Sequence, residues 1–225
     1  MILLAIDTAS TLCAPCIHDS AAGRELGRAE LDLGKGHAEH LMGVVHEAMA
    51  QAGVDFPALG RIAVAVGPGS FTGVRVGVSA ARGFAMALKI PAVGVTTLEA
   101  IAAETRESFG ARKVMAALDG GRGEVHLAVH DEAGALLFGP VATTLQGAAA
   151  IAREHLPLLA GSAVPAVAEE AAAGLQVGSA GATADIGVYA RLGAEKQAGE
   201  KPKPLYLRDA DAKSQAGFVL PRIRS

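Results

Sequence analysis

The sequence predicts an α/β protein of two lobes, each a mixed sheet flanked by helices. Three observations predict it. Short apolar runs alternate along the chain with segments of helical period. Each half opens with strands joined by tight turns and continues with strand–helix crossovers, a combination that puts helices on the faces of a mixed sheet. The second half then repeats the order of elements of the first, without sequence identity between them. The division follows as residues 1–108 for the first lobe, 109–200 for a smaller second lobe, and 201–225 for a basic tail.

Taken in order, Met1–Ile6 is an apolar run that ends at Asp7-Thr8 and reads as a buried strand. Leu12–His18 and Arg28–Leu33 read as the next two strands, with the turn Ala21-Ala22-Gly23 between them; Leu31-Asp32-Leu33 alternates with strand period. Over His37–Ala52 the period changes. Leu41, Val44, Val45, Ala48, Met49 and Ala52 recur at three and four, and Gly53 closes the helix. Arg61–Val66 is a β-rich run bounded by Gly67-Pro68-Gly69. A helix over Phe71–Lys89 follows and Pro91 stops it. Ala92–Val95 is a short strand, and Thr96–Glu107 a helix capped by Thr96 or Thr97. In the second half, Lys113–Leu118 and Glu124–His130 are strands, Ala135–Phe138 a weaker one, and Leu145–His155 a helix. Leu158–Ala160 is a strand, Val164–Ala173 a helix, Leu175–Val177 a strand and Thr183–Leu192 the last helix.

Composition narrows the function classes. The 225 residues are 51% hydrophobic and 19% charged, which excludes wholesale disorder. A net charge of −3 gives no global case for nucleic acid or a membrane surface. Aromatics are 4% with no Trp, so base-stacking platforms are not expected. Residues 1–6 lack a basic flank and are too short for a signal sequence, and no apolar window is long enough to span a bilayer. Two cysteines build no disulfide framework, so the expected setting is the reducing cytoplasm. Lys201–Ser225 stands apart, with six basic residues against two acidic, three prolines, and one apolar anchor at Leu205-Tyr206-Leu207.

The strongest motif is Gly67-Pro-Gly-Ser-Phe-Thr-Gly73, where a strand ends and a helix begins. Glycines permit a sharp turn, and free amides at a helix start attract anions. Gly67, Gly69, Ser70, Thr72 and Arg75 are therefore candidates for an anion or cofactor cradle, as are Asp7 and Thr8 at the end of the first strand. A tight structural turn explains the same residues. Neither a P-loop, nor a dinucleotide fingerprint, nor a nucleophile elbow fits: the required Lys is absent, and Thr72 and Pro68 stand where glycines are needed. Gly73, Gly77, Ala81 and Ala85 form a small-residue stripe at spacing four, a flat face on which another helix can pack closely. Together with Leu41, Val45 and Met49 it is a candidate partner interface. On that reading Gly77→Leu breaks a complex and leaves the fold intact. Asp119, Arg122 and Glu124 cluster at a hairpin, as an ion-pair network or a solvated turn. Cys13 and Cys16 lie within a strand and read as buried structural thiols. His37, Glu39 and His40 lack the spacing of a zincin site, and no metal site or catalytic residue set is assigned.

The chain resembles the TsaB (YeaZ) family in its opening Ile2–Thr8, in His37-Ala-Glu-His-Leu41, in Gly67-Pro-Gly-Ser-Phe-Thr-Gly-Val-Arg-Val-Gly77, in Asp119-x-x-Arg122-x-Glu124-Val125 and in Pro204-Leu-Tyr-Leu-Arg208. The eleven-residue glycine motif is the specific one, and the order holds along nearly the whole chain. The sequence departs from the family at His126, where Tyr is more usual, and at Gly120-Gly121, which replace Ala-Arg. The resemblance implies the fold of actin, sugar kinases and heat-shock ATPases (the ASKHA, ribonuclease H-like fold). It implies a cytoplasmic, non-catalytic dimerisation subunit in the synthesis of threonylcarbamoyladenosine beside the tRNA anticodon. TsaD would be the catalytic partner and TsaE an ATPase component. A homodimer would form in isolation, tRNA would be met through the complex, and ATP or ADP would sit at a partner interface instead of being held tightly by this chain. Two rival functions remain at this point: an independent ATP-dependent small-molecule kinase of the same fold, and a peptidase.

Overall fold

A computed structural model of the chain describes residues 1–207. β1 (Ile2–Asp7), β2 (Leu12–Asp19), β3 (Arg24–Arg28) and the two-residue β4 (Leu31–Asp32) lead into α1 (His37–Ala52). β5 (Leu59–Ala65), α2 (Phe71–Leu88), β6 (Ala92–Val95) and α3 (Thr97–Phe109) complete the first half. The first sheet has the order β3-β2-β1-β5-β6, antiparallel at β3-β2-β1 and parallel at β1-β5-β6, with β4 paired to the start of β2. The second half supplies β7 (Val114–Gly121), β8 (Glu124–His130), β9 (Leu136–Thr144), α4 (Leu145–His155), β10 (Leu158–Ala160), α5 (Val164–Ala171) and α6 (Ile186–Glu195). Its sheet runs β9-β8-β7-β10, antiparallel except at β7-β10. A single parallel bridge from Val177 to Leu159 stands where the first sheet has its fifth strand. The duplicated topology expected from the order of elements is therefore present.

The layers are helix, sheet, helix, sheet, helix. α1 and α2 cover one face of the first sheet, α3 and α6 lie between the sheets, and α4 and α5 cover the far face of the second. Strand alternation sorts the side chains. Val114, Ala116 and Leu118 of β7 join the core of the central layer, while Met115 and Ala117 join the core under α4 and α5. Strands β1 and β5 are buried on both faces, as their unbroken apolar runs require. The helix starts are set locally. Ser70, Thr96, Thr144 and Asp185 each accept a hydrogen bond from a backbone amide of the first turn, and Thr96 also donates to the Glu99 carboxylate.

Several elements differ from their sequence reading. Arg28–Leu33 is not one strand: β3 starts directly after the Gly23 turn and ends at Arg28, paired with Cys16, and Leu31-Asp32 pairs separately with Leu12-Cys13. β3 is a sheet edge whose first two residues face water, so it carries no apolar alternation to read. β9 continues to Thr144, well past Phe138, and Leu175–Val177 contributes only the Val177 bridge. The last helix starts at Ile186. It follows the second lobe in sequence but packs on β1, β2 and β5 of the first sheet. Arg61 of β5 pins its end, one guanidinium nitrogen donating to the carbonyls of Gly193, Ala194 and Lys196 at 2.9, 2.8 and 2.7 Å. The chain then returns to the first sheet: Pro202 is buried beside Gly94, and the Leu205 amide donates to the Val66 carbonyl at 2.8 Å. The apolar anchor of the tail is thus seated, whereas Arg208–Ser225 lies outside the described residues. Among the described residues no helix is long and apolar enough to cross a membrane.

Candidate functional site: an interlobe cleft and a helical groove

Two concavities gather the residues singled out above. The first is a cleft of about 560 Å³ between the lobes. The β1–β2 turn (Ala9, Ser10, Thr11), Gly69-Ser70, and Gly181 to Thr183 line it on the side of the first sheet. Leu118 to Gly120, His126 and Ser162 line it on the other side. Asp7 sits beneath its floor, 2% exposed. Its carboxylate is already engaged: one oxygen accepts from the Ala9 amide and the other from the Thr183 hydroxyl, both at 2.7 Å. Thr183 in turn lies 2.7 Å from the hydroxyl of fully buried Tyr189 in α6. Burial pushes the Asp7 carboxyl above its ordinary range, and its two donors and the charge of His37 only moderate that. Burial and the Asp7 charge likewise raise Tyr189.

The glycine motif does not form an open cradle. It is clamped onto the β1–β2 turn. The Ser70 amide donates to the Ala9 carbonyl at 2.7 Å, the Gly73 amide to the Ser70 hydroxyl at 3.2 Å, and the Thr8 hydroxyl to the Gly73 carbonyl at 2.7 Å. Two of the amides an anion would use are therefore taken. A Cβ on Gly69 would collide with the Ala9 carbonyl, and one on Gly73 with the Thr8 carbonyl. A Cβ on Gly77 would come within 2.5 Å of the Thr8 hydroxyl. The small-residue stripe is thus an intramolecular contact. Gly73, Gly77 and Ala81 are buried against the first sheet, Ala85 is partly buried with them, and Leu41, Val45 and Met49 of α1 are core residues. Apart from Leu41, which also lines the groove described next, they pack inside this chain, and Gly77→Leu would damage the fold.

Thr72 and Arg75 also fall elsewhere. They line the second concavity, a groove of about 460 Å³ between α1 and α2. Its remaining walls are Ala38, Leu41, Met42, Val76, Ser79 and Ala80. Met42 is 56% exposed, and Phe71, at the start of α2, is 58% exposed. Sequence reasoning missed this face because it follows the strongest apolar stripe. The signal was a weaker second one: Ala38 and Met42 on α1, with Val76 and Ala80 on α2, again at spacing four. Arg75 is fixed at this groove. Its guanidinium lies 3.6 Å from the Phe71 ring centroid, and its Nε donates to the Tyr206 hydroxyl at 2.8 Å.

At the second-lobe hairpin, Asp119 accepts from the Gly121 amide at 2.8 Å, and the Asp119 amide donates to the Ser162 hydroxyl at 3.1 Å. Asp119 faces the cleft, whereas Arg122 and Glu124 do not line it. Cys13 and Cys16 are buried and free; burial, then the Asp7 charge, pushes the Cys13 thiol up to about 11, and Cys16 is raised as well. His37 is buried and His40 exposed, and among the described residues no three potential ligands converge on a metal position.

Residues 32–178, well over half the chain, match the model of the family described as TsaD: tRNA N6-adenosine threonylcarbamoyltransferase. The chain is 34% identical over 128 residues to tRNA threonylcarbamoyladenosine biosynthesis protein TsaB of Escherichia coli (strain K12), covering 57% of this chain and 54% of that one. It is 33% identical over 138 residues to the protein of the same name in Bacillus subtilis (strain 168), covering 61% and 58%. The chain thus spans about half the length of the curated relatives it matches. Among solved structures, YeaZ from Pseudomonas aeruginosa superposes with a TM-score of 0.75 at 26% identity, over 92% of this chain and 99% of that one. A second structure, described as an uncharacterized protein with similarity to peptidase YEAZ from Pseudomonas aeruginosa, has a TM-score of 0.78 at 26% identity over the same shares. The inorganic polyphosphate/ATP-glucomannokinase of Arthrobacter sp. strain KM shares the fold alone, with a TM-score of 0.51 at 18% identity over 85% and 97%.

Proposed function

The chain belongs to the TsaB (YeaZ) family, and from that premise we propose that it is a non-catalytic scaffold and dimerisation subunit in threonylcarbamoyladenosine synthesis on tRNA. Its partner is TsaD, which carries the transfer to the adenosine beside the anticodon, with TsaE as the ATPase of the set. In isolation a second copy takes the partner's place. tRNA is met through the complex, in the cytoplasm, and ATP or ADP belongs at the interface with a partner.

The observation that carries this reading is the exposed apolar groove between α1 and α2, flanked by Met42 and Phe71. Apolar surface of this kind, rimmed by polar residues, marks a protein contact. The cleft supports it too: the strand-end carboxylate that could serve chemistry there is spent on Ala9 and Thr183. The test is co-purification with TsaD of the same organism, with light scattering to read the assembly. Ala80→Glu puts a charge into the groove without touching the sheet. We expect a stable complex with the wild-type chain and much weaker association with Ala80→Glu, at a melting temperature within a few degrees of wild type. The independent kinase is favoured by one feature, the open cleft with Asp7 and Asp119 at strand ends. Tight, magnesium-dependent ATP binding by the isolated chain would establish it over the scaffold reading.

A further inference from the structure

We propose that Arg75 is a recognition residue of the α1–α2 groove, receiving a carboxylate from an amphipathic helix of the partner, and that Tyr206 is the positioning residue that presents it; this rests on the scaffold reading above. The occupant follows from what the groove offers. Its walls are mostly apolar, with Ala38, Leu41, Met42, Val76 and Ala80 beside the hydroxyls of Thr72 and Ser79, which fits the apolar stripe of an amphipathic helix. One cation lies among them. The Arg75 guanidinium is stacked on Phe71 at 3.6 Å, and Tyr206 holds its Nε at 2.8 Å. Phe71 and Tyr206 also touch, with ring centroids 5.8 Å apart. Stacking and the Nε bond fix the plane of the fork on an exposed residue, and no hydrogen bond to a described residue engages its two terminal nitrogens, the pair that grips a carboxylate with two hydrogen bonds. Among the described residues no carboxylate forms an ion pair with Arg75. Tyr206 reaches it only because the returning chain is tied to the first sheet at Val66. The strap is therefore part of the docking surface.

The experiment is titration calorimetry of the full chain with TsaD at about 50 and about 300 mM salt, a range over which an exposed ion pair is increasingly screened. For the wild type we expect affinity to fall with salt. Arg75→Gln should bind about 30-fold more weakly at low salt, as when a hydrogen-bonded charge pair across an interface loses one member, and lose the salt dependence. Arg75→Lys keeps charge without the fork and should lose about 5-fold. Tyr206→Phe keeps the ring, loses the acceptor, and should lose about 3-fold. Asp209→Asn combined with Asp211→Asn should behave as wild type. If that double variant abolishes the salt dependence, the carboxylate is this chain's own and the inference fails. It fails equally if the wild type binds and Arg75→Gln binds as well with the same salt dependence. No complex with the wild-type chain would overturn the scaffold reading itself, and the inference with it.

Discussion

The cleft and the groove are of similar size but differ in the groups they present. The cleft is lined by hydroxyls and glycine backbone, and the carboxylate at its floor is already bonded inside the chain. The groove is lined by Ala38, Leu41, Met42, Val76 and Ala80 together with Thr72 and Ser79, with a guanidinium held at its edge by two aromatic residues. An aspartate at a strand end suggests chemistry, and a stripe of glycines suggests a partner. Here the aspartate joins β1 to the segment that leads into α6, and the glycines let α2 settle on the β1–β2 turn. What a polar or small residue contributes depends on whether the fold has already used it.

The largest effect expected from breaking this contrast is on the clamped glycine loop. Gly73→Val meets the Thr8 carbonyl with no space to move and should cost about 4 kcal/mol or more, read by denaturant unfolding or loss of soluble protein. A Gly73→Val chain with wild-type stability would mean the loop can lift off the turn, and the open-cradle reading would return. Next is Ala80→Glu, which should weaken partner binding by about 100-fold while melting within a few degrees of wild type. Thr183→Val removes one of the two donors to Asp7 and the hydroxyl beside Tyr189. It should destabilise by about 1–3 kcal/mol in equilibrium unfolding, with partner binding unchanged. The smallest effect concerns pH. Burial raises the folded-state pKa of Asp7, so the unfolded chain loses its proton first as pH climbs past the ordinary value of 3.8, and wild-type stability falls across that window. Asp7→Asn lacks this loss. The stability difference between variant and wild type should therefore move in the variant's favour from pH about 4 upward. A constant difference across pH would show that the Asp7 carboxyl is not raised.

Much of the fold was legible because its determinants are local. Residues 37–52 carry a helical period and a closing glycine, and α1 has those bounds. β5 and β6 are apolar runs between glycines and prolines. What failed to show was decided at a distance. β3 is polar because it is an edge, so it lacks alternation. β9 is long but has no fully buried residue, and Gly139-Pro140 falls within it, so only its first residues read as a strand. The apolar face of α6 announces a helix but not which sheet it will cover. The site divides in the same way. The spacing of Gly73 and Gly77 announces that something comes close; only the fold shows that it is Thr8, which directly precedes the β1–β2 turn. The groove was hidden because Leu41, Val45 and Met49 form a stronger stripe than Ala38 and Met42.

The return of α6 to the first sheet has a consequence for how the protein is made. Strands β1, β2 and β5 leave the ribosome long before the helix that covers one of their faces, and the whole second lobe is synthesised in between. Until then that apolar face has no permanent cover. Neither lobe is therefore a separable piece: a chain cut after α3 would lack α6, and one begun at β7 would carry α6 with no sheet to receive it. The two sheets repeat one topology, but α6 joins them into one object, because it follows the second sheet in the chain and covers the first.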